Sequence, residues 1–437
     1  MRFPDPTSSR VVLIGTSKYE DRENLPDLLE VERSVTDLAA TLTDPDDGVI
    51  PESNCVVLTD EGDLRLIGRK LRAAASQAED LLLVYYAGHG LVGGRRHDLY
   101  LALPDSEWAE PTFNSLKYDD LRSAVLDSPA KTKLIILDCC FSGRAVTETQ
   151  AGESEVLGQI EIDGSYVLTA AHKDQMALII DGEVHTAFTG RLLRLLRQGV
   201  IGGPELLSID DLYQQLLILM KAEGLSQPQK RGTGTSGLLA LARNRAFAAT
   251  MVPILRERAA TAFATGERGD WERAVGQLRD VLAELDRIVG PEHEDTLRVR
   301  ALLAHAVGGA GDPLEAATRL EALLPEQTRL LGPDHEGTLT SRQYLAVNLG
   351  EAGYRNRAVA ILRVLLPDRR RVLGDDDPHT LRTVHILARN LLAMGETNEA
   401  VALLRELVAA RERVLGTDHP HSARARRDLA AMLKPTP

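Results

Sequence analysis

The sequence predicts a two-part protein, an α/β domain with a mostly parallel sheet followed by an all-helical repeat solenoid. Over roughly the first 240 residues, short Val/Ile/Leu runs alternate with amphipathic stretches. Continuous apolar runs of this kind are typical of strands buried on both faces of a parallel sheet. From about residue 250, strand-like runs disappear and a 42-residue repeat begins, which indicates a solenoid. We place the two domains at 1–244 and 245–437.

Six apolar runs are candidate strands, and five amphipathic segments are candidate helices. The predicted strands are 10–14, 55–58, 81–86, 99–103, 133–137 and 166–170. The predicted helices are 28–42, 63–77, 118–126, 188–196 and 209–221. In sheets of this type, functional side chains follow the carboxyl ends of the strands. Those strand ends are therefore the expected position of a site.

The repeat appears in several independent series of residues, each spaced by 42. The series are the glycines 290, 332, 374 and 416, the Leu-Ala pairs at 303, 345, 387 and 429, and the alanines 274, 316, 358 and 400. Each unit is predicted to hold two helices, the first after a polar loop such as GPEHEDTL (290–297). The second follows a glycine-led turn such as GDWERAV (269–275).

This spacing resembles the tetratricopeptide repeat, in the 42-residue form found in kinesin light chains, over about 250–433. The resemblance implies about four helix pairs, a capping helix near 421–432 and a concave face that binds a protein partner. Histidines recur at one loop position (His293, His335 and His419), but Asp377 replaces them in the third unit. That recurrence favours a structural role in the loop over a metal site.

Charge and cysteine content restrict the class of protein. The formal net charge is −13, which disfavours a general nucleic-acid-binding role and makes basic peptides the more natural ligands. Only three cysteines occur, and two of them are adjacent, which indicates a reducing compartment. No apolar run approaches the roughly 20 residues needed to cross a bilayer, and the first residues lack a signal-peptide core. We therefore expect a cytoplasmic protein without a membrane segment.

Two strand ends carry the residues with the strongest chemical signal. LLLVYYAGHG (81–90) is a buried strand that leads into Gly-His-Gly, and KLIILDCCFSG (133–143) leads into Asp-Cys-Cys-Phe-Ser-Gly. If both strands are parallel members of one sheet, His89 and Cys140 lie at the same edge. An imidazole beside a thiol favours the reactive thiolate and can later protonate a leaving amine.

These two motifs resemble those of the caspase and metacaspase superfamily, which carries an H-G dipeptide and a D-x-C-x-S-G frame about 50 residues apart. The resemblance covers about 8–242, including VVLIGTSKYE (11–20). It implies an α/β caspase–haemoglobinase-like sandwich with Cys140 as nucleophile and His89 as base. Cys139 then occupies the variable position of the frame.

Alternative roles remain for each of these residues. A single cysteine after a strand is usually a small apolar side chain, and a single histidine is usually structural. The two together in matching strand-end contexts favour a catalytic dyad. Cys139 stays an alternative nucleophile. We expect the remaining histidines of the first domain, His97, His172 and His185, to be structural or exposed.

The backbone beside the dyad provides a candidate oxyanion hole. The N–H groups of Gly90 and Cys140 are the expected donors to the developing oxyanion. Gly90, which lacks a side chain, allows the substrate to approach closely.

The resemblance also suggests a substrate preference. In metacaspases an acidic residue two positions before the cysteine lines the pocket for the side chain preceding the cut bond, and Asp138 occupies that position. A carboxylate there would pair with Arg or Lys, although Asp138 capping loop amides is the alternative. The second pocket acid of the family corresponds to Ser34 in VERSVTDL (31–38), which is not acidic. Arg33 nearby stays a candidate for the caspase-type role, but we expect cleavage after Arg or Lys.

We predict no metal and no cofactor. Calcium-dependent metacaspases carry several acids after the His loop, whereas here the segment 91–105 holds only Asp98 and Asp105. Two carboxylates are too few for a good calcium site.

The segment 145–164 contains no Lys or Arg. In relatives the corresponding region is an activation loop that is cut after a basic residue. We therefore expect activation by ordering of this loop rather than by cleavage within it.

The expected function is a cysteine endopeptidase whose repeats recruit substrate or respond to a partner. By analogy alone, a caspase-like domain joined to repeats resembles bacterial caspase-like effectors of regulated cell death or phage defence. A catalytically idle scaffold and a transpeptidase that uses the same thiolate are the alternatives. The expected partners are a protein or peptide substrate and a protein on the concave face of the repeats, with neither nucleic acid nor membrane. The sequence does not predict the oligomeric state.

Overall fold

The computed structural model describes residues 1–94, 98–139, 141–142, 166–170, 179–232 and 236–432. It divides the chain into two compact units, Met1–Phe247 and Ala248–Pro437. The first unit combines helices with a mostly parallel sheet, and the second contains only helices. The predicted fold class is therefore confirmed.

The first unit contains strands in three sheets. The strands are β1 (Arg10–Gly15), β2 (Cys55–Thr59), β3 (Leu81–Ala87), β4 (Gly90–Gly93), β5 (Asp98–Ala102), β6 (Ser115–Lys117), β7 (Thr132–Asp138), β8 (Phe141–Ser142), β9 (Tyr166–Thr169), β10 (Leu206–Ser208), β11 (Gln229–Gly232) and β12 (Ala240–Arg243). The main sheet has the order β11-β9-β7-β3-β1-β2. Its neighbouring strands are parallel except for β11, which runs antiparallel to β9.

Helices cover both faces of the main sheet. They are α1 (Glu30–Leu42), α2 (Leu64–Gln77), α3 (Pro111–Asn114), α4 (Tyr118–Leu126), α5 (Ala187–Gln198) and α6 (Ile209–Ala222). One face of the central strands packs on α1, α5 and α6, and the other packs on α2 and α4. Because both faces are covered, β3 is apolar along its whole length, and all seven of its residues are buried.

The predicted strand 99–103 is present as β5, but it does not belong to the main sheet. It lies in a second, four-stranded sheet of order β6-β5-β4-β8. A short run of buried apolar residues looks the same in either sheet, because local pattern does not encode the pairing partner.

Six short strands were not predicted, namely β4, β6, β8, β10, β11 and β12. Each has only two to four residues. Such lengths are too short to produce a recognisable alternation of apolar and polar positions. Two of these strands, β10 and β12, pair antiparallel with one another as a separate sheet.

The second unit is a series of antiparallel helices joined by short loops. The helices are α7 (Phe247–Glu267), α8 (Trp271–Ile288), α9 (Glu294–Gly309), α10 (Pro313–Leu330), α11 (Glu336–Glu351), α12 (Arg355–Leu373), α13 (Pro378–Ala393), α14 (Thr397–Leu415) and α15 (Pro420–Met432). Both glycine series of the loops, from Gly269 to Gly395 and from Gly290 to Gly416, have positive φ angles. Residues with a Cβ rarely adopt this conformation, which explains why glycine recurs there.

The recurring loop histidines act as helix N-caps. Nδ1 of His293 accepts a hydrogen bond from the amide of Asp295, and Nδ1 of His335 accepts one from the amide of Gly337, each at 3.2 Å. In the third unit the carboxylate of Asp377 accepts the corresponding bond from the amide of His379 at 2.8 Å. Aspartate is a preferred N-cap residue, so the departure from histidine preserves the loop.

No described helix has the length and apolar character needed to cross a membrane.

Candidate active site at the carboxyl edge of the sheet

The site begins where β3 and β7 leave the main sheet side by side. The parallel pairing runs from Leu81↔Thr132 to Ala87↔Asp138, a constant offset of 51 residues. After a short break, β4 and β8 continue the same parallel pairing in the second sheet, with Gly90 opposite Phe141. The offset there is again 51, so the segment from β3 to β4 and the segment from β7 to β8 keep the same register as they pass from one sheet to the other.

His89 lies in this break and is held from two sides. Its Nε2 lies 2.9 Å from the carbonyl oxygen of Pro26. Its ring packs against the ring of Tyr19, with 4.9 Å between the centroids. Both contacts come from the loop between β1 and α1.

The main chain of His89 is held by two buried tyrosine hydroxyls. The amide of His89 donates to the hydroxyl of Tyr19 at 3.0 Å. On the other side, the hydroxyl of Tyr86 lies 2.9 Å from the carbonyl oxygen of His89 and 2.8 Å from that of Ala102. Both tyrosines are almost fully buried.

The contact with Pro26 decides which nitrogen of the neutral imidazole carries the hydrogen. A carbonyl oxygen can only accept, so Nε2 of His89 carries the hydrogen and Nδ1 holds the lone pair when the ring is neutral. Burial lowers the pKa of His89 below its ordinary value of 6.5, although the bond to the Pro26 carbonyl acts in the opposite direction. In the neutral ring, the free lone pair therefore lies on Nδ1.

Asp138 forms the other half of the edge. It is fully buried, and its Oδ2 accepts hydrogen bonds from the hydroxyls of Thr186 and Thr189, each at 2.6 Å. The hydroxyl of Tyr85 lies 3.2 Å from the same oxygen. Among the described residues, Oδ1 of Asp138 has no hydrogen-bond partner although it is buried. Burial raises the pKa of Asp138, and the hydroxyl donors counteract that rise.

Ser34 belongs to the same network as Asp138 but does not contact it. Its hydroxyl donates to the carbonyl oxygen of Glu30 at 2.8 Å and accepts from the amide of Thr186 at 3.0 Å. Ser34 thus fixes the residue that bonds to Asp138. Its predicted contact with substrate stays a prediction.

Several predicted residues lie outside the described part of the chain. They are Cys140, His97, His172 and the segment 145–164. Cys139 is described and is fully buried in the core on the α2/α4 side of the sheet, which disfavours it as a nucleophile. Gly90 starts β4 and pairs with Leu101 as well as Phe141. Its role in an oxyanion hole stays a prediction.

His185 pairs with a carboxylate, and its expected structural role stays a prediction. Its Nε2 lies 2.7 Å from a carboxylate oxygen of Asp37. Within the described ranges there is no cluster of three or more potential metal-ligating side chains.

Sequence reasoning missed Pro26, Tyr19, Tyr85, Tyr86 and the two threonines. The contact of Pro26 is made by its main-chain carbonyl, which every residue type has, so the sequence could not predict it. The adjacent tyrosines at the end of an otherwise aliphatic buried strand were a usable signal, because a buried tyrosine hydroxyl needs a partner. Tyr85 and Tyr86 point to opposite faces and support the Asp138 half and the His89 half respectively.

The comparisons with known proteins give a family for each of the two units. A family model for the caspase domain matches residues 8–230, just over half of the chain. The chain belongs to the caspase-domain family. This is a family of cysteine peptidases, and the match spans both halves of the edge described above. A comparison with curated proteins finds none that matches this chain.

The helical unit of this caspase-domain protein matches a second family. The tetratricopeptide repeat model matches residues 338–379 and 380–421, which confirms the predicted repeat and indicates a role in protein interaction. Similar solved structures include nearly identical TPR-like repeats of a Podosopora anserina protein assigned to the kinesin light chains (29% identity, 41% of this chain and 85% of that chain, TM-score 0.36). BtubC (BKLC) from P. vanneervenii is also similar (18% identity, 43% of this chain and 80% of that chain, TM-score 0.35).

The described part of the repeats contains a sizeable cavity. It has a volume of about 510 Å³ and lies between α7, α9 and α11. Its lining combines the aromatic rings of Phe263 and Tyr344 with the charged side chains of Arg256, Glu267 and Glu336. Such a mixture of aromatic and charged groups suits a peptide segment.

Proposed function

We propose that the chain is a cysteine endopeptidase that cleaves proteins after Arg or Lys, with Cys140 as nucleophile and His89 as base. The observation that carries the proposal is the constant 51-residue offset of the pairing on both sides of the break. His89 and Cys140 are also separated by 51 residues. The proposal is further supported by a neutral, oriented imidazole on the His89 side.

The mechanism follows from the free lone pair of His89. Nδ1 takes the proton from the thiol of Cys140, and the sulfur attacks the carbonyl carbon before the cut bond. The N–H groups of Gly90 and Cys140 stabilise the resulting oxyanion. When the C–N bond breaks, His89 returns the proton to the leaving amine. Water then attacks the thioester, with His89 as base, and releases the acid and the free thiol.

The preference for a basic residue is supported by the chemistry of Asp138. A buried carboxylate oxygen without a donor is costly, and Oδ1 of Asp138 is such an oxygen among the described residues. Asp138 is fully buried, so a guanidinium or ammonium group that displaced its cover would satisfy this oxygen and compensate the buried charge. Aspartate before the cut bond would instead place two carboxylates together.

The decisive experiment compares the two adjacent cysteines. A peptide with Arg before the cut bond is assayed with the wild type, Cys140→Ala and Cys139→Ala, alongside matched peptides with Asp or Gln in place of Arg. We expect activity on the Arg peptide in the wild type and in Cys139→Ala, and none in Cys140→Ala. Retained activity in Cys140→Ala would overturn the assignment of the nucleophile.

The same assay separates the alternative functions. An idle scaffold would cleave none of the peptides, and its Cys140 would not react with a thiol-directed electrophile in mass spectrometry. A transpeptidase would join the acyl fragment to an added peptide amine faster than to water. An excess of hydrolysis over ligation supports the peptidase.

The repeats would bind a segment of a partner or substrate protein in the cavity between α7, α9 and α11. Glu267 lines this cavity and is exposed, whereas Glu257 on the same helix is exposed but does not line it. Full-length Cys140→Ala, which cannot cleave, should capture substrate proteins from a cell extract. Adding Glu267→Lys to this variant should abolish the capture, whereas adding the control substitution Glu257→Lys should leave the capture unchanged. New N-termini produced by the active enzyme would identify the substrates and test a role in the cytoplasm and in bacterial defence.

A further inference from the structure

We infer that Tyr19, on the loop between β1 and α1, is the residue that positions the catalytic histidine. The inference rests on the proposed function of His89, and it names Tyr19 as the residue that fixes the orientation of the His89 imidazole. Tyr19 contacts both parts of His89, its main chain and its ring, and it does so from a loop that is itself anchored.

The main-chain contact is a relay of hydrogen bonds. The amide of His89 donates to the Tyr19 hydroxyl at 3.0 Å, and that hydroxyl donates to the carbonyl oxygen of Thr16 at 2.9 Å. Tyr19 is only 2% exposed, so water cannot replace it. Because Thr16 directly follows β1, the relay ties the His89 backbone to the main sheet.

The ring contact covers the imidazole. The two ring centroids lie 4.9 Å apart at an angle of 53°. This cover contributes to the burial that lowers the pKa of His89. Tyr19 therefore influences the base through two separable groups, its hydroxyl and its ring.

The loop that carries Tyr19 is fixed at several points. The amide and hydroxyl of Ser17 bond to the carboxylate of Asp60 at 2.6 and 2.7 Å. The amide of Tyr19 bonds to Asp27 at 3.0 Å, and the amide of Leu28 closes the loop on the Ser17 carbonyl at 2.7 Å. This loop also presents the Pro26 carbonyl to Nε2 of His89. One anchored loop thus orients the whole residue.

The glycine before His89 is explained by the same arrangement. Gly88 has a φ of +152°, and a Cβ there would come within 2.6 Å of the Tyr86 hydroxyl oxygen and 2.8 Å of the Tyr19 hydroxyl oxygen. Real Cβ atoms do not approach so closely. The first glycine of Gly-His-Gly is thus required so that both hydroxyls can reach the His89 backbone.

The first test removes only the hydroxyl. Tyr19→Phe is compared with Tyr166→Phe, a matched control whose hydroxyl donates to Asp210 at 2.6 Å and does not touch His89. We expect Tyr19→Phe to lower kcat about tenfold with KM unchanged, because misplacement of the base affects the chemical step rather than binding. Tyr166→Phe should keep kcat within about twofold, since a hydroxyl remote from the reacting atoms does not alter the transition state. Equal losses in the two variants, or a loss confined to KM, would overturn the inference.

The second test is independent of catalysis and uses the full-length Cys140→Ala background. Tyr19→Phe should accelerate hydrogen exchange of the His89 amide, while Tyr166→Phe should not. Tyr19→Leu, which removes the ring cover, should raise the pKa of His89 measured by NMR, whereas Tyr19→Phe should leave it unchanged. If these readouts respond but the wild type cleaves no peptide, the positioning role stands and the proposed function fails. If neither readout responds, the positioning role fails regardless of activity.

Discussion

The loop histidines of the repeats and His89 at the sheet edge occupy opposite structural situations. In the repeats, His293 and His335 lie in loops and bond to amides two residues further along the chain. At the sheet edge, His89 bonds through its ring to Pro26, 63 residues away, and through its amide to Tyr19, 70 residues away. The first role is local and repeated, whereas the second is assembled by the fold.

The difference teaches which positions tolerate exchange. A local N-cap needs only an acceptor atom at the right place, and Asp377 provides it in the third repeat unit. A catalytic base needs a lone pair, a suitable pKa and a defined direction at once. Histidine is therefore replaceable at the loop position of the repeats, whereas the proposed role of His89 as base predicts that His89 is not replaceable.

The largest expected effect tests that contrast directly. His89→Ala should lower kcat/KM on an Arg peptide by about 1000-fold, within the range for loss of a general base. His335→Ala should leave kcat/KM on the same peptide within about twofold, since it does not contact the reacting atoms. Comparable losses in both variants would show that His89 has no special role in the chemistry.

Two aspartates, Asp138 at the sheet edge and Asp377 in the repeats, extend the contrast to substrate recognition. Asp138→Asn should lower kcat/KM for Arg peptides by about 100-fold, because the buried charge that pairs with the substrate is lost. Asp377→Asn should have no effect on cleavage, since asparagine caps a helix as well as aspartate does. Initial rates with matched Arg and Gln peptides measure the preference. If Asp138→Asn keeps its preference for Arg, Asp138 does not recognise the substrate.

Two threonine substitutions, one beside Asp138 and one in the repeats, test whether the hydroxyl donors matter to Asp138. Thr189→Val removes one donor without changing the shape of the side chain and should lower kcat/KM for Arg peptides about tenfold. With fewer donors the pKa of Asp138 rises further, so the loss should deepen as the pH falls. Thr328→Val is the control, because that hydroxyl bonds locally to Leu324 on an exposed helix. Thr189→Ser should restore activity, and failure to do so would assign the effect to packing instead.

The histidine titration gives a smaller but more direct measure. In Cys140→Ala, His89 should titrate below 6.5 by NMR, because burial lowers its pKa. In the wild type, a thiolate neighbour should raise that pKa, since an opposite charge favours the imidazolium. The acid limb of the kcat/KM profile should follow the wild-type value. An identical His89 pKa in both proteins would contradict the proximity of the two side chains.

The two units also differ in how much of them could be predicted from sequence. The repeat helices follow from a period and from turn glycines, both of which are local signals. At the edge, β3 and β7 and their shared direction were predicted from apolar runs, and so was the candidate role of Asp138. The donors to Asp138 were not, because Thr186 and Thr189 lie 48 and 51 residues from it and nothing in that spacing marks them. Contacts between distant residues depend on the assembled fold, which local pattern does not encode.

The smallest expected effect concerns the cap that replaced histidine. Asp377 accepts bonds from the amides of His379 and Thr380, whereas each loop histidine accepts from a single amide. Asp377→Ala should lower the free energy of unfolding by about 1 kcal/mol, and Asp377→His should lose about half of that, because one acceptor remains. Urea denaturation of the full chain, followed by circular dichroism, measures both. If histidine proves no better than alanine at this position, the loop histidines do not stabilise the repeats as caps, and the contrast with His89 must rest on the sheet edge alone.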